Sequence, residues 1–341
     1  FNGTSYAEQN DLATAREHVK AAGTTSNGLA FGGDLPSSSA LTEEWVGAGA
    51  AVGAWTTSGS MNTARLDGGT AGTQTAGLIF AGGPTVVANT ETYNGSTFSE
   101  VNDVTSGRAL AAGLGTQTAA LFCGGYGSVP NPGLPELHAL VEQWNGTCWT
   151  EITDIGTPRR QSSGAGTTTS GLIFGGDPPT TGKTESWNGS AWTEVADLNQ
   201  ARTSEPLGVG ASNTSALCSG GYSVSPTNAQ YTGTETWNGT SWTEVNDLNT
   251  GRHLFAGSGT QTACIGFGGF PVPAAGAKNE DWNGVSWSET SDLNTARGTG
   301  GTVKGTSTEA AAMGGAPTPS GTTAVTENWS GTSDTIKVLT D

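Results

Sequence analysis

Three histidines, four cysteines and eight arginines are the residues of this chain with the most chemistry to offer, and spacing decides what each could do. His18 and His253 follow closely on an arginine while His138 stands apart, so no two fall at a metal-ligand spacing. Cys123, Cys148, Cys218 and Cys264 form no Cys-x-x-Cys pair and have no nearby histidine; they read as small buried apolar residues rather than zinc ligands. No Gly-x-Ser-x-Gly, His-Glu-x-x-His or phosphate loop occurs where its chemistry requires it. The expectation is a protein with no metal, no cofactor and no catalysis.

Arginine and glutamate carry more information, because they repeat. Seven of the eight arginines recur at one position, Arg16, Arg65, Arg108, Arg159, Arg202, Arg252 and Arg297. Seven glutamates recur two residues before an aromatic, Glu43, Glu91, Glu142, Glu185, Glu235, Glu280 and Glu327. Equal numbers at fixed positions predict Glu–Arg ion pairs, with the planar guanidinium matched to a carboxylate. The competing reading is a ring of arginines around a channel that binds anions. Asp11, Asp103, Asp154, Asp197, Asp247 and Asp292 also recur; carboxylates at such linker positions favour turns by accepting backbone N–H groups.

The elements that must position these residues are short strands. Gly-Gly doublets begin at Gly32, Gly82, Gly124, Gly175, Gly220, Gly268 and Gly314, spaced 42 to 51 residues apart, a period that belongs to propeller blades or solenoid units. A cleaner copy, Thr234 to Gly269, opens with Thr-Glu-Thr-Trp-Asn-Gly-Thr-Ser-Trp. Asn-Gly predicts a two-residue type I′ hairpin with positive φ at both positions. The dipeptide recurs at Asn2, Asn94, Asn145, Asn188 and Asn283 and weakens to Val46-Gly47 and Ser330-Gly331. All eleven tryptophans flank these turns, which predicts packing of the hairpin on its neighbours rather than a sugar platform. A Gly-containing strand and an apolar strand ending in the doublet complete four antiparallel strands per unit, the content of one blade.

An apolar strand ending in Gly-Gly, a variable loop, Glu-x-aromatic, a turn, Trp and a closing Arg together resemble the kelch repeat, and the likeness extends over essentially the whole chain. The near-identical Trp-Asn-Gly-Thr-Ser-Trp units are also similar to kelch-like proteins of marine bacteriophages. The resemblance implies an all-β, seven-bladed β-propeller of four-stranded antiparallel blades covering residues 1–333, with 334–341 leaving the ring. The hairpin signature occurs once more than the doublet, so Thr4–Gln9 is expected to complete the last blade beside Thr323–Trp329. A start at Phe1 rather than Met fits a processed or excised segment.

The formal charge of −17 opposes binding to nucleic acid or anionic lipid, and no apolar run reaches membrane-span length. What varies between repeats is the loop after the doublet, longest over residues 126–140 with Pro130, Pro132, Pro135 and His138; that loop is the candidate partner-binding segment. The expected function is a non-enzymatic structural or interaction module, a tail or capsid accessory of a phage particle or a cell-surface protein. Its partners would be other proteins or glycans. Carbohydrate binding is the alternative, and an enzyme with a channel-mouth active site the third reading.

Overall fold

The computed structural model describes residues 20–23, 27–31, 34–35, 37–38 and 42–46. It then describes 53–331 apart from short gaps at 84, 128–135, 224–228, 272–275, 299–300, 304 and 318–320. Every regular element among these residues is a β-strand. The chain divides into two units, Gly53–Ser330 and a smaller one made of Phe1–Val52 with Gly331–Asp341.

Among the described residues the large unit contains six four-stranded antiparallel sheets and two small two-stranded ones. In the first, strands Gly69–Thr73, Ala76–Gly82, Val87–Tyr93 and Phe98–Val101 lie side by side in sequence order. The next four repeat this plan, with inner strands Ala112–Thr116, Ser163–Thr167, Leu207–Ser212 and Ala256–Gly259. The sixth contains Gly301–Val303, Glu309–Met313 and Thr326–Ser330, and its outer strand is Ala54–Ser58, from ahead of the first blade. Each inner strand neighbours the next, and the sixth neighbours the first, so the sheets close a ring. Apolar packing follows the same circle: one core cluster fills each of the six seams between adjacent blades. Glycine lets the inner strands meet, since a Cβ on Gly113 would collide with the backbone of Thr70 in the neighbouring blade.

The ring therefore has six blades, not seven, and all of its described strands lie within Gly53–Ser330. The cause lies between Trp45 and Trp55, where nine residues replace the usual four-residue turn and its Asn-Gly. Without that turn the Trp55 strand is uncoupled from Trp45. It pairs instead with the sixth blade, Trp329 opposite Trp55, in the register that joins Trp187 to Trp192 within the third. Thr4–Gln9, expected in that place, and 334–341 lie outside the described residues. The small unit holds a three-stranded antiparallel sheet, Lys20–Gly23, Asn27–Phe31 and Thr42–Val46, with Gly28 opposite Trp45.

The hairpin turns also differ from expectation. Strand pairing stops at Trp187–Trp192, so four residues form the loop. Only the glycines adopt positive φ, 90° to 95° at Gly95, Gly146, Gly189, Gly239 and Gly284; the asparagines before them do not. The Asn188 carboxamide instead accepts the N–H groups of Ser190 and Ala191, both at 2.9 Å. Asparagine is placed there as a side-chain acceptor that closes the turn.

Candidate functional site

The repeated residues come together at the end of the ring where the doublet loops and the interblade linkers emerge. In all six blades the arginine pairs with the glutamate of the same blade: Arg65–Glu91, Arg108–Glu142, Arg159–Glu185, Arg202–Glu235, Arg252–Glu280 and Arg297–Glu327. Both partners are buried. Burial pulls Arg65, Arg108, Arg159, Arg252 and Arg297 below the ordinary guanidinium value, against the opposing pull of the paired carboxylate. The second carboxylate oxygen accepts a linker N–H arriving from the preceding blade, for example Thr105 on Glu142 at 2.7 Å and Asn199 on Glu235 at 2.7 Å. Arg16 lies outside the described residues, and Glu43 stands opposite Ala30 in the small sheet.

The doublet completes this scaffold. Its two residues adopt consecutive left-handed conformations, φ 67° and 99° at Gly124 and Gly125, which favours glycine. In the first blade the pair is Ala81–Gly82, at 57° and 113°. The second residue of the pair donates its N–H to the carbonyl of the next blade's arginine: Gly82 to Arg108, Gly125 to Arg159, and so on to Gly315, which returns to Arg65 at 3.1 Å. A ring of backbone hydrogen bonds thus passes through every repeated arginine. These side chains are consumed by structure and do not form an open anion-binding circle.

A second circlet lies two residues past the arginine. Asp67, Leu110, Gln161, Ser204 and Leu254 all have φ between 52° and 59°, unusual for residues with a side chain. Leu110 donates to the Asp67 carbonyl, Gln161 to Leu110, Glu205 to Gln161 and Leu254 to Ser204, at 2.7–3.2 Å. Below it opens a cavity of about 90 Å³ lined by the first residues of five inner strands and by Glu205. Burial pushes the Asp67 carboxyl up to about 7, and burial together with the charge of Asp67 pushes Glu205 well above the carboxylate range. One oxygen of Asp67 is buried without a hydrogen-bond partner. Such carboxyls can hold a proton near neutral pH. No group of three or more His, Cys, Asp or Glu suited to a metal ion occurs among the described residues.

Around this mouth the residue after the arginine bridges to the residue after the doublet, and here the blades diverge. The pairs are Leu66–Gly83, Ala109–Tyr126, Arg160–Asp177, Thr203–Tyr222, His253–Phe270 and Gly298–Ala316. Arg160 donates to Asp177 at 3.2 Å and lies over the Tyr126 ring at 5.3 Å. Tyr222, His253 and Phe270 form a continuous ring series, with centroids 5.6 Å and 6.0 Å apart. Sequence reasoning included Tyr126 in the 126–140 loop but did not foresee the bridge pairing of these positions. Their signal was present, since they adjoin the most regular landmarks yet change from repeat to repeat.

Of the loop singled out from sequence, Pro130, Pro132 and Pro135 lie outside the described residues. His138 belongs to the scaffold: its N–H donates to Gly125 and its carbonyl accepts from Arg159. Among the hairpin tryptophans whose side chains are described, all are buried except the half-buried Trp192. Trp144, Trp187, Trp237, Trp282 and Trp329 each donate an indole N–H to a carbonyl in the adjoining turn between the first two strands of their own blade. No disulfide joins the four cysteines; Cys123, Cys218 and Cys264 are buried and Cys148 is exposed.

Ring closure, four-stranded antiparallel sheets and a central mouth define a six-bladed β-propeller. Among solved structures the chain is similar to one titled "Structure of YjhT", with a TM-score of 0.67 and 11% identity, covering 82% of this chain and 99% of that one. At that identity the likeness is one of fold. No protein-family model and no curated protein matches the sequence.

Proposed function

We propose that this protein is a non-enzymatic interaction module that engages its partner on the doublet-loop face, as a tail or capsid accessory component of a phage particle touching a host surface or a neighbouring subunit. One observation carries the reading. The Glu, Arg and doublet positions repeat in every blade, whereas the six bridge pairs beside them diverge, from Gly298–Ala316 to His253–Phe270. A scaffold requirement acts equally on all six blades, and recognition does not. The closed ring, with its buried ion pairs and backbone circlets, suits a rigid presenting surface. The setting on a particle is supported by the similarity of the repeats to phage kelch-like proteins, and the acidic charge fits a role away from nucleic acid.

Quantitative proteomics of purified particles from the source material tests it. The chain is expected in fixed stoichiometry with particle structural proteins. Its absence from particles, with the protein recovered free or on cell surfaces, would refute the particle assignment.

A further inference from the structure

We infer that the axial mouth of the ring binds a hard divalent cation of the calcium type between the carboxylates of Asp67 and Glu205, over the cavity that Glu205 and Ser162 line.

The ring brings these residues together. Asp67 precedes the inner strand of the first blade and Glu205 that of the fourth, so they enter from opposite sides of a six-membered circle. Three hydrogen bonds span the half-turn between them, from Leu110 to Asp67, Gln161 to Leu110 and Glu205 to Gln161. Across the mouth the charge of Asp67 bears on Glu205, and neither carboxyl forms an ion pair with an arginine or lysine among the described residues. Two acids thus meet at the axis with no counter-charge from the chain.

The scaffold does not ask for these side chains. The backbone circlet forms equally with Leu110 or Leu254 at the position of Asp67. Glu205 sits in a one-residue insertion: Leu207 begins its strand five residues after Arg202, where Gly69, Ala112, Ser163 and Ala256 stand four after theirs. Ser162 replaces the Gly68, Ala111 and Phe255 of other blades; it is 4% exposed, lines the cavity, and its hydroxyl has no hydrogen-bond partner. One Asp67 oxygen is unpartnered too. Buried polar groups are ordinarily satisfied, so a hydroxyl and a carboxylate left over at one small cavity point to a ligand that accepts oxygen lone pairs.

The donors select the ion. No histidine or cysteine lines the cavity, and an all-oxygen set of carboxylates, hydroxyl and carbonyls suits calcium or magnesium rather than zinc or copper. Two carboxyls rather than three leave coordination to be completed by water. The volume of about 90 Å³ holds an ion with a few waters and is too small for an organic ligand. The net charge of −17 draws cations toward it.

The test is calorimetric titration of the chelator-treated full chain with CaCl2, and separately MgCl2, at pH 8 in fixed background salt. At least one ion should bind saturably at a single site with a Kd of ~10⁻⁴–10⁻³ M. Asp67→Asn and Glu205→Gln should each weaken binding at least ~10-fold, and Glu151→Gln on an outer strand should leave it unchanged. Each amide removes a mutual repulsion, so without cation both variants should unfold no earlier than the parent, which separates a lost site from a lost fold. Absence of saturable binding by either ion up to ~10 mM overturns the inference, as does binding that survives Asp67→Asn and Glu205→Gln combined.

Discussion

The indole N–H of Trp242 donates to the hydroxyl of Thr184 at 3.0 Å, joining the outer strand of the fourth blade to the third strand of its neighbour. The same bond joins Trp287 to Thr234 and Trp149 to Thr90, at 3.0 and 3.2 Å. Among the described side chains it fails in two seams, and each failure has a single-residue cause. Val141 stands at the threonine position facing Trp192, whose Nε1 is buried without an acceptor. Phe98 stands at the tryptophan position facing Thr326, whose hydroxyl is likewise unpaired.

Repairing and breaking this bond should move stability in opposite directions. Val141→Thr gives Trp192 an acceptor and is expected to stabilise by ~1 kcal/mol; Thr184→Val strands the Trp242 N–H and should cost about 1–2 kcal/mol. Urea unfolding midpoints with unchanged slopes would report both.

The buried ion pairs predict asymmetric double-mutant behaviour. Glu235→Ala leaves the Arg202 guanidinium buried without its counter-charge and should cost roughly 3–5 kcal/mol. Arg202→Met combined with Glu235→Leu should cost less than the single change. A double mutant less stable than the single in urea unfolding would contradict the pairing energetics.

Asp67 gives a pH dependence of unusual sign. Its folded value is raised from 3.8 to about 7, so between these values the folded state keeps a proton that the unfolded chain has released. Stability from this group should therefore fall as pH rises from about 4 through 7. Asp67→Asn should remove that part of the slope and raise Tm at pH 8, as measured by thermal unfolding across the range. An unchanged profile would place the carboxyl in ordinary solvent.

Ring closure by Ala54–Ser58 predicts different tolerances to truncation. A chain beginning at residue 47 keeps the closing strand and should unfold cooperatively near the full-length midpoint. One beginning at residue 60 exposes the edge of Thr326–Ser330 and should lose midpoint and gain aggregation. Differential scanning calorimetry of the two distinguishes six-bladed from seven-bladed closure.

Much of the scaffold was legible because each blade meets the same demands: the doublet for consecutive left-handed residues, Glu and Arg for the buried pair, tryptophan for the seams. Blade number was not, because a missing turn between Trp45 and Trp55 changes which strand Trp55 joins, and pairing partners are not written locally. The amides of Gln74, Gln117 and Gln261, each reaching carbonyls of the preceding blade, were visible as a recurring Thr-Gln-Thr but had no reading without the ring. The mouth residues Asp67, Gln161 and Glu205 escaped notice for the same reason: their meaning arises only when different blades bring them together.

Hydroxyl-radical footprinting of the chain bound to the particle on which it is found tests most directly whether recognition belongs to the doublet-loop face. Protection should concentrate at Tyr126, Tyr222, His253 and Phe270, with the hairpin loops at Asn238–Ser241 and Asn283–Ser286 unchanged. Protection of those hairpins, with the bridge residues still labelled as in the free chain, would place recognition on the opposite face and contradict the functional reading.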